Sequence, residues 1–184
     1  MIPLPEGFRS RQVDNGNGLN MHVLEAGFET EDRPCVMLLH GFPELAYSWR
    51  KVMPMLAQAG YYVVAPDQRG YGDTLGWEAD YDGDTRDFGM LNPVRDVLGL
   101  AWALDIDRVA AVVGHDFGSP VAAYCALLRP DVFCSVAMMS APFAGPPGVS
   151  SNSGTLIHAQ LATLQRPRKH YQWYYSTPEA NADM

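Results

Sequence analysis

Three short stretches hold most of the residues able to do chemistry: His40-Gly41-Phe42-Pro43-Glu44, Asp67-Gln68-Arg69-Gly70-Tyr71-Gly72 and Gly114-His115-Asp116-Phe117-Gly118. Each follows an apolar run, and each is punctuated by glycine. The third poses the chemical question. Its apolar run passes through Gly-His-Asp-Phe-Gly straight into the Ala-rich segment "SPVAAY". A tight strand–turn–helix corner of this kind is where many hydrolases hold a serine nucleophile. Here the place belongs to Asp116. A carboxylate with an intrinsic pKa near ~4 is ionised at neutral pH without a base to activate it. Taken alone, Asp116 has two readings: a helix N-cap that accepts amide hydrogens, or a reactive group at the mouth of a ligand site. Three such stretches together favour the second.

The elements that must position these stretches follow from periodicity and punctuation. Strands are expected at 11–15 and 20–26, joined through "DNGNGLN", whose Asn-Gly pairs are hairpin-turn signals. "PCVMLLH" (34–40) is a continuous apolar run, as in a strand covered on both faces. "AYSWRKVMPMLAQAG" (46–60) has helical spacing with Gly60 as its stop, and Pro54 should kink or shorten it. "YYVVAPD" (61–67) reads as the next strand. "NPVRDVLGLAWALD" (92–105) reads as the next helix, with Asn92 as N-cap and Pro93 at its first position. "RVAAVVGH" (108–115), "SPVAAYCALLRP" (119–130) and "VFCSVAMMS" (132–140) form a strand–helix–strand unit. This alternation predicts an α/β fold, a mostly parallel sheet with helices on both faces. Ligands bind outside the carboxyl ends of strands in such sheets, and the three stretches fall at three of those ends. The texture changes after Pro142, giving a core over 1–142, a Gly/Pro/Ser-rich linker over 143–157 and an aromatic, partly helical module over 158–184.

"HGFPE", "DQRGYG" and "GHDFG", in this order on successive strands, resemble the epoxide hydrolase branch of the α/β-hydrolase superfamily. The resemblance spans roughly the first 142 residues and resumes at "HYQWYYSTPEAN". It implies an α/β-hydrolase fold truncated before its last strands, with the start of a helical cap. It implies Asp116 as a nucleophile that attacks the saturated carbon of a small-molecule epoxide and forms an ester that water cleaves. The backbone N–H groups of Phe117 and Phe42 would form the oxyanion hole. His40, Gly41 and Pro43 would shape the loop, the glycine by close backbone approach. The Phe42–Pro43 bond is often cis in this family. Tyr171, with Gln172 beside it, matches the first of two cap tyrosines that protonate the epoxide oxygen, a task that suits a phenol. Trp173, Tyr174 and Tyr175 read as packing. His40 and His115 are expected to be structural, and Asp67 and Arg69 to organise their loop by pairing with each other. Haloalkane dehalogenases share the aspartate but resemble a pattern with Trp after it. Phe117 lacks that N–H, so the dehalogenase is the alternative reading.

Composition narrows the field further. The net charge is −8, with no basic stripe, which argues against nucleic-acid or anionic-membrane partners. Residues 73–87 are strongly acidic and read as a solvated loop whose spacing does not suit calcium. No metal or other cofactor is expected. Cys35, Cys125 and Cys134 sit in apolar runs without paired spacing, as buried thiols in a reducing compartment would. With no signal-peptide pattern and no membrane-length apolar run, a cytoplasmic location is expected. The sequence carries no signal for oligomeric state. After Asp116 the only histidines are His158 and His170, and neither follows a late sheet strand. Asp131 and Asp183 are no better placed as orienting acids. The expectation is an incomplete and inactive chain without the water-activating pair. A non-catalytic half-fold is the other possibility.

Overall fold

The computed structural model describes residues 4–143, 145, 163, 171–175 and 178–183. They fall into two compact units, Met1–Phe143 and Ala144–Met184. The first holds a six-stranded sheet: β1 (Phe8–Asp14), β2 (Asn20–Ala26), β3 (Cys35–Leu39), β4 (Tyr62–Pro66), β5 (Val109–His115) and β6 (Val136–Met139). Strand order is β1-β2-β4-β3-β5-β6. β1 and β2 are an antiparallel entry, β2 also runs antiparallel to β4, and the β4–β3–β5–β6 part is parallel.

Side-chain alternation divides the sheet's apolar residues between two cores, as a pleated strand buried on both faces requires. Cys35, Met37 and Leu39 of β3 face one core with Met21, Val23 and Val64. Val36 and Leu38 face the other with Leu24, Ala26, Val63 and Ala65. The first core is covered by α2 (Leu91–Ala103) and α3 (Gly118–Leu128) through Val97, Leu100, Val121 and Cys125. The second is covered by a 3₁₀ turn (Ala46–Lys51) and α1 (Met53–Gln58) through Trp49 and Met53.

Local chemistry explains most boundaries. β1 starts three residues before the expected strand, at Phe8, and Asp14 pairs with Asn20 to close the hairpin. Inside that turn Gly16 and Gly18 take φ of 66° and 85°, the left-handed region the Asn-Gly pairs foretold. The 46–60 segment splits as proline demands, with Pro54 in the first turn of α1, where a missing N–H costs nothing. Gly60, at φ 94°, follows the helix end.

Three expectations need correction. Asn92 is not the N-cap of α2. Helical dihedrals are already in place at Met90, so Asn92 lies in the first turn and its Oδ1 accepts from Arg95 at 3.2 Å. The last strand is shorter than 132–140. Phe133 makes a single parallel bridge to Val109, and the ladder resumes at Val136, after Ser135 Oγ donates to the Ala110 carbonyl. Cys134 is exposed. Cys35 and Cys125 are buried, and burial pushes both thiols up to about 12.

One charged side chain lies fully inside the sheet region. Glu25 of β2 accepts from Arg9 and Arg11, each through two nitrogens, and from the Tyr62 hydroxyl. Burial pushes its carboxyl upward, but the hydrogen bonds from Arg9, Arg11 and Tyr62 outweigh this and hold it below its ordinary value of 4.5. Glu25 therefore contributes stability that is complete above that value and is lost as pH falls through the lower folded one. Glu25→Gln is expected to destabilise the protein at neutral pH, with the gap to the parent narrowing in acid, below 4.5. Urea titrations at neutral and acid pH measure it. A gap that stays constant or widens in acid would contradict the pairing.

In the second unit the described helices are α4 (Tyr171–Tyr175) and α5 (Pro178–Asp183). Of the expected 143–157 linker, only Phe143 and Gly145 are among the described residues. No described helix is long and apolar enough to cross a membrane.

Candidate active site

β5 ends at His115, α3 begins at Gly118, and the corner between them is tight. Asp116 has φ 50°, a left-handed conformation rare outside glycine, asparagine and aspartate. Its N–H donates to the Met139 carbonyl at 3.0 Å, and its own carbonyl accepts from the Ser119 N–H at 3.0 Å. Ser119 Oγ also lies within 2.8 Å of the Met139 carbonyl, so β6 braces the corner. The flanking glycines are sterically required. A Cβ on Gly114 would lie 2.1 Å from the Gly118 carbonyl oxygen, and one on Gly118 would lie 2.3 Å from that of Leu39.

The loop after β3 meets this corner directly. A Cβ on Gly41 would lie 2.4 Å from Asp116 Cβ and 2.6 Å from its Oδ1. The Phe42 N–H donates to Asp116 Oδ1 at 2.9 Å. Phe117 is the N-cap residue of α3, so its N–H belongs to the first turn, whose amides have no partner within the helix. The Phe42–Pro43 bond is cis.

His40 is fully buried behind the loop. Its Nε2 accepts the Gln68 N–H at 3.0 Å, which puts the ring proton on Nδ1 to donate to the Gly41 carbonyl at 2.9 Å. Burial lowers its pKa, with only partial compensation from the Gly41 carbonyl, Asp67 and Glu44. The neutral ring thus ties the end of β3 to the end of β4. His115 Nδ1 lies 3.1 Å from Glu44 Oε2.

Asp67 and Arg69 do not pair with each other as the sequence reading expected. Asp67 bonds His22 Nδ1 at 2.7 Å and takes the Ala46 and Asp73 amides at 2.8 and 3.2 Å. Burial pushes its carboxyl up, yet these bonds, His22 foremost, hold it below its ordinary range. Arg69 turns to Asp96 of α2, through Nε at 2.9 Å and Nη2 at 2.8 Å. The tertiary fold brings Asp67 closer donors and Arg69 a closer acceptor than the loop does.

A cleft of about 310 Å³ opens beside the corner, lined by Phe42, Gln68, Tyr71, Phe88, Pro93 and Phe117 among others. It collects residues from the ends of β3, β4 and β5, the position expected of a ligand site in an open α/β sheet. Tyr71, within "DQRGYG", adds an aromatic ring to this cleft. Its ring packs edge-on to His40 at 4.9 Å, and burial, then the nearby Asp116 charge, pushes its phenol upward. In the sequence, the aromatic inside the motif is its only signal.

Tyr171 opens α4 in the second unit and is exposed, with its ring 6.4 Å from that of Tyr175. The side chains of Gln172 and Trp173 lie outside the described residues, as do His158 and His170. The described histidines bond elsewhere: His22 to Asp67, His40 to Gly41 and Gln68, His115 to Glu44. Among the described residues no cluster of three or more His, Cys, Asp or Glu could hold a metal ion.

Comparison with known proteins places this geometry in a family. The model of the alpha/beta hydrolase fold matches residues 34–181. The chain belongs to the α/β-hydrolase family. It is 44% identical over 132 residues to epoxide hydrolase A of Mycobacterium tuberculosis, covering 72% of this chain and 38% of that protein. It is 41% identical over 129 residues to epoxide hydrolase 3 of Siraitia grosvenorii, covering 70% and 38%. Among solved structures, potato epoxide hydrolase I superposes with a TM-score of 0.75 at 35% identity, over 96% of this chain and 51% of that one. An epoxide hydrolase from an endophytic Streptomyces gives 0.75 at 37% identity, over 97% and 50%. The chain thus spans 38% of these curated relatives and about half of these solved structures.

Proposed function

We propose that this chain carries the nucleophile half of an epoxide hydrolase, with Asp116 as the attacking carboxylate. The observation that carries the reading is the left-handed corner at Asp116 together with the 2.9 Å bond from the Phe42 N–H to Oδ1. With Oδ1 held by the amide, Oδ2 attacks. The Oδ2–carbon bond forms as the epoxide carbon–oxygen bond breaks, and the ring oxygen takes up a proton from an acid, the role that the family resemblance gives to the Tyr171 phenol. Oδ1 becomes the ester carbonyl oxygen and already sits on an N–H donor. When water attacks, negative charge develops on that oxygen, where the Phe42 and Phe117 amides stabilise it. The base that activates this water is not among the described side chains assigned above.

Phe117 favours epoxides over haloalkanes, because its side chain offers no hydrogen to a departing halide. Alkylation needs no water-activating base, so the chain itself is a suitable test. Incubation with styrene oxide is expected to place one covalent equivalent on the peptide containing Asp116, detected by mass spectrometry. 1-Bromohexane is expected to react at least about 10-fold more slowly, lacking halide stabilisation. Bromide release as fast as epoxide opening would favour the dehalogenase. Absence of any Asp116 adduct with either reagent would remove the assignment of the nucleophile.

A further inference from the structure

Three side chains of the β1–β2–β4 region line up as a proton relay that the proposed epoxide chemistry does not use. Ser10 Oγ lies 2.8 Å from His22 Nε2, and His22 Nδ1 lies 2.7 Å from Asp67 Oδ2. The antiparallel register sets Ser10 opposite Leu24 and Gln12 opposite His22, so Ser10 and His22 are diagonal neighbours on one face of the hairpin. Asp67 arrives from the end of β4, and its N–H donates to the His22 carbonyl at 2.9 Å, which fixes the third member beside the ring.

Hydrogen-bond capacity assigns the protons. Asp67 accepts from His22 and from the Ala46 and Asp73 amides, and an ionised carboxylate can only accept. The His22 ring proton therefore belongs on Nδ1. The bond to Asp67 raises the His22 pKa, so the charged ring, with both nitrogens donating, persists to higher pH than in a free imidazole. Once the ring is neutral, Nε2 is an acceptor and the Ser10 hydroxyl donates into it. Exposure grades along the relay: Ser10 is open to solvent, the His22 side chain is 16% exposed and that of Asp67 is 4% exposed. This is the arrangement in which a buried carboxylate orients an imidazole and the imidazole activates a serine.

We propose that Ser10 is a second nucleophilic site, reactive towards activated esters and related acyl or phosphoryl donors. In the covalent step Ser10 Oγ bonds to the electrophilic carbon or phosphorus, and the bond to the leaving group breaks. The hydroxyl proton passes to His22 Nε2, the Asp67 carboxylate stabilises the imidazolium, and the proton then goes to water. The relay supplies proton removal only, so the outcome is a stoichiometric adduct.

Diisopropyl fluorophosphate tests this on the whole chain at mildly alkaline pH, which favours the neutral His22 ring. The serine oxygen–phosphorus bond would form and fluoride would leave. Peptide mapping is expected to place the adduct on Ser10 and to leave Ser48 and Ser135, also exposed, essentially unlabelled. Ser10→Ala should remove the adduct. His22→Gln should slow labelling at Ser10 about 10²-fold or more, the usual worth of a positioned general base. Equal labelling of Ser10, Ser48 and Ser135 in the parent would overturn the proposal without reference to any variant. So would labelling of Ser10 at the parental rate in His22→Gln that retains the parental circular dichroism.

Discussion

Asp116→Asn is expected to lower the rate of covalent capture of styrene oxide by roughly 10⁴-fold or more, the scale on which loss of a nucleophile is felt. Asparagine is the informative replacement. It adopts the left-handed region at least as readily as aspartate, so φ 50° is kept. Its Oδ1 still accepts the Phe42 N–H, which makes the 2.9 Å bond in the parent. What disappears is the anionic oxygen free to attack. Alanine would confound that result with backbone strain. Peptide mass mapping reads the adduct, and far-UV circular dichroism confirms that the corner still folds. An adduct formed at the parental rate elsewhere on the chain would show that another side chain is the nucleophile.

Asp96→Ala is expected to cost about 3–5 kcal/mol of stability, the penalty for stranding a buried charge. That is a large share of the ~5–15 kcal/mol that holds a typical domain together. Asp96 and Arg69 are both buried and joined through two nitrogens at 2.9 and 2.8 Å. Asn15 and Asn17 add bonds to Asp96 Oδ1 at 3.3 and 2.6 Å, so the carboxylate also pins the β1–β2 turn to α2. Removing it leaves a guanidinium facing an apolar helix, with turn amides that have lost an acceptor. The companion variant Asp96→Ala/Arg69→Met should recover part of the loss, because the stranded charge goes too. Urea denaturation gives both values. A loss below about 1 kcal/mol for the single variant would mean that water reaches Arg69 and solvates it.

The cleft bears on both predictions. Arg69 sits two residues before Tyr71 in the loop that lines one side, while Asp116 stands at the corner behind Phe42 and Phe117. A variant that loosens Arg69 should therefore disturb adduct formation as well as stability, whereas Asp116→Asn should touch only the chemistry.

Local patterns in the sequence determined the order of strands and helices, the hairpin at "DNGNGLN", the break at Pro54 and the three glycine-punctuated strand ends. These are decided within a few residues, by φ preferences, a missing N–H or the alternation of apolar side chains. The placing of "HGFPE", "DQRGYG" and "GHDFG" around one cleft follows from parallel strands alone, since their carboxyl ends share one edge of the sheet. Only the tertiary structure decided which polar groups found each other. Asp67 had Arg69 two residues away and took His22, and Arg69 took Asp96, 27 residues on. Ser10 met His22 through antiparallel register, and Cys134, within an apolar run, came out exposed beside a short edge strand. A charged side chain has several possible partners in a linear sequence, all chemically equivalent. Register and burial select among them, because the nearest desolvated partner wins, and that distance exists only once the sheet has formed.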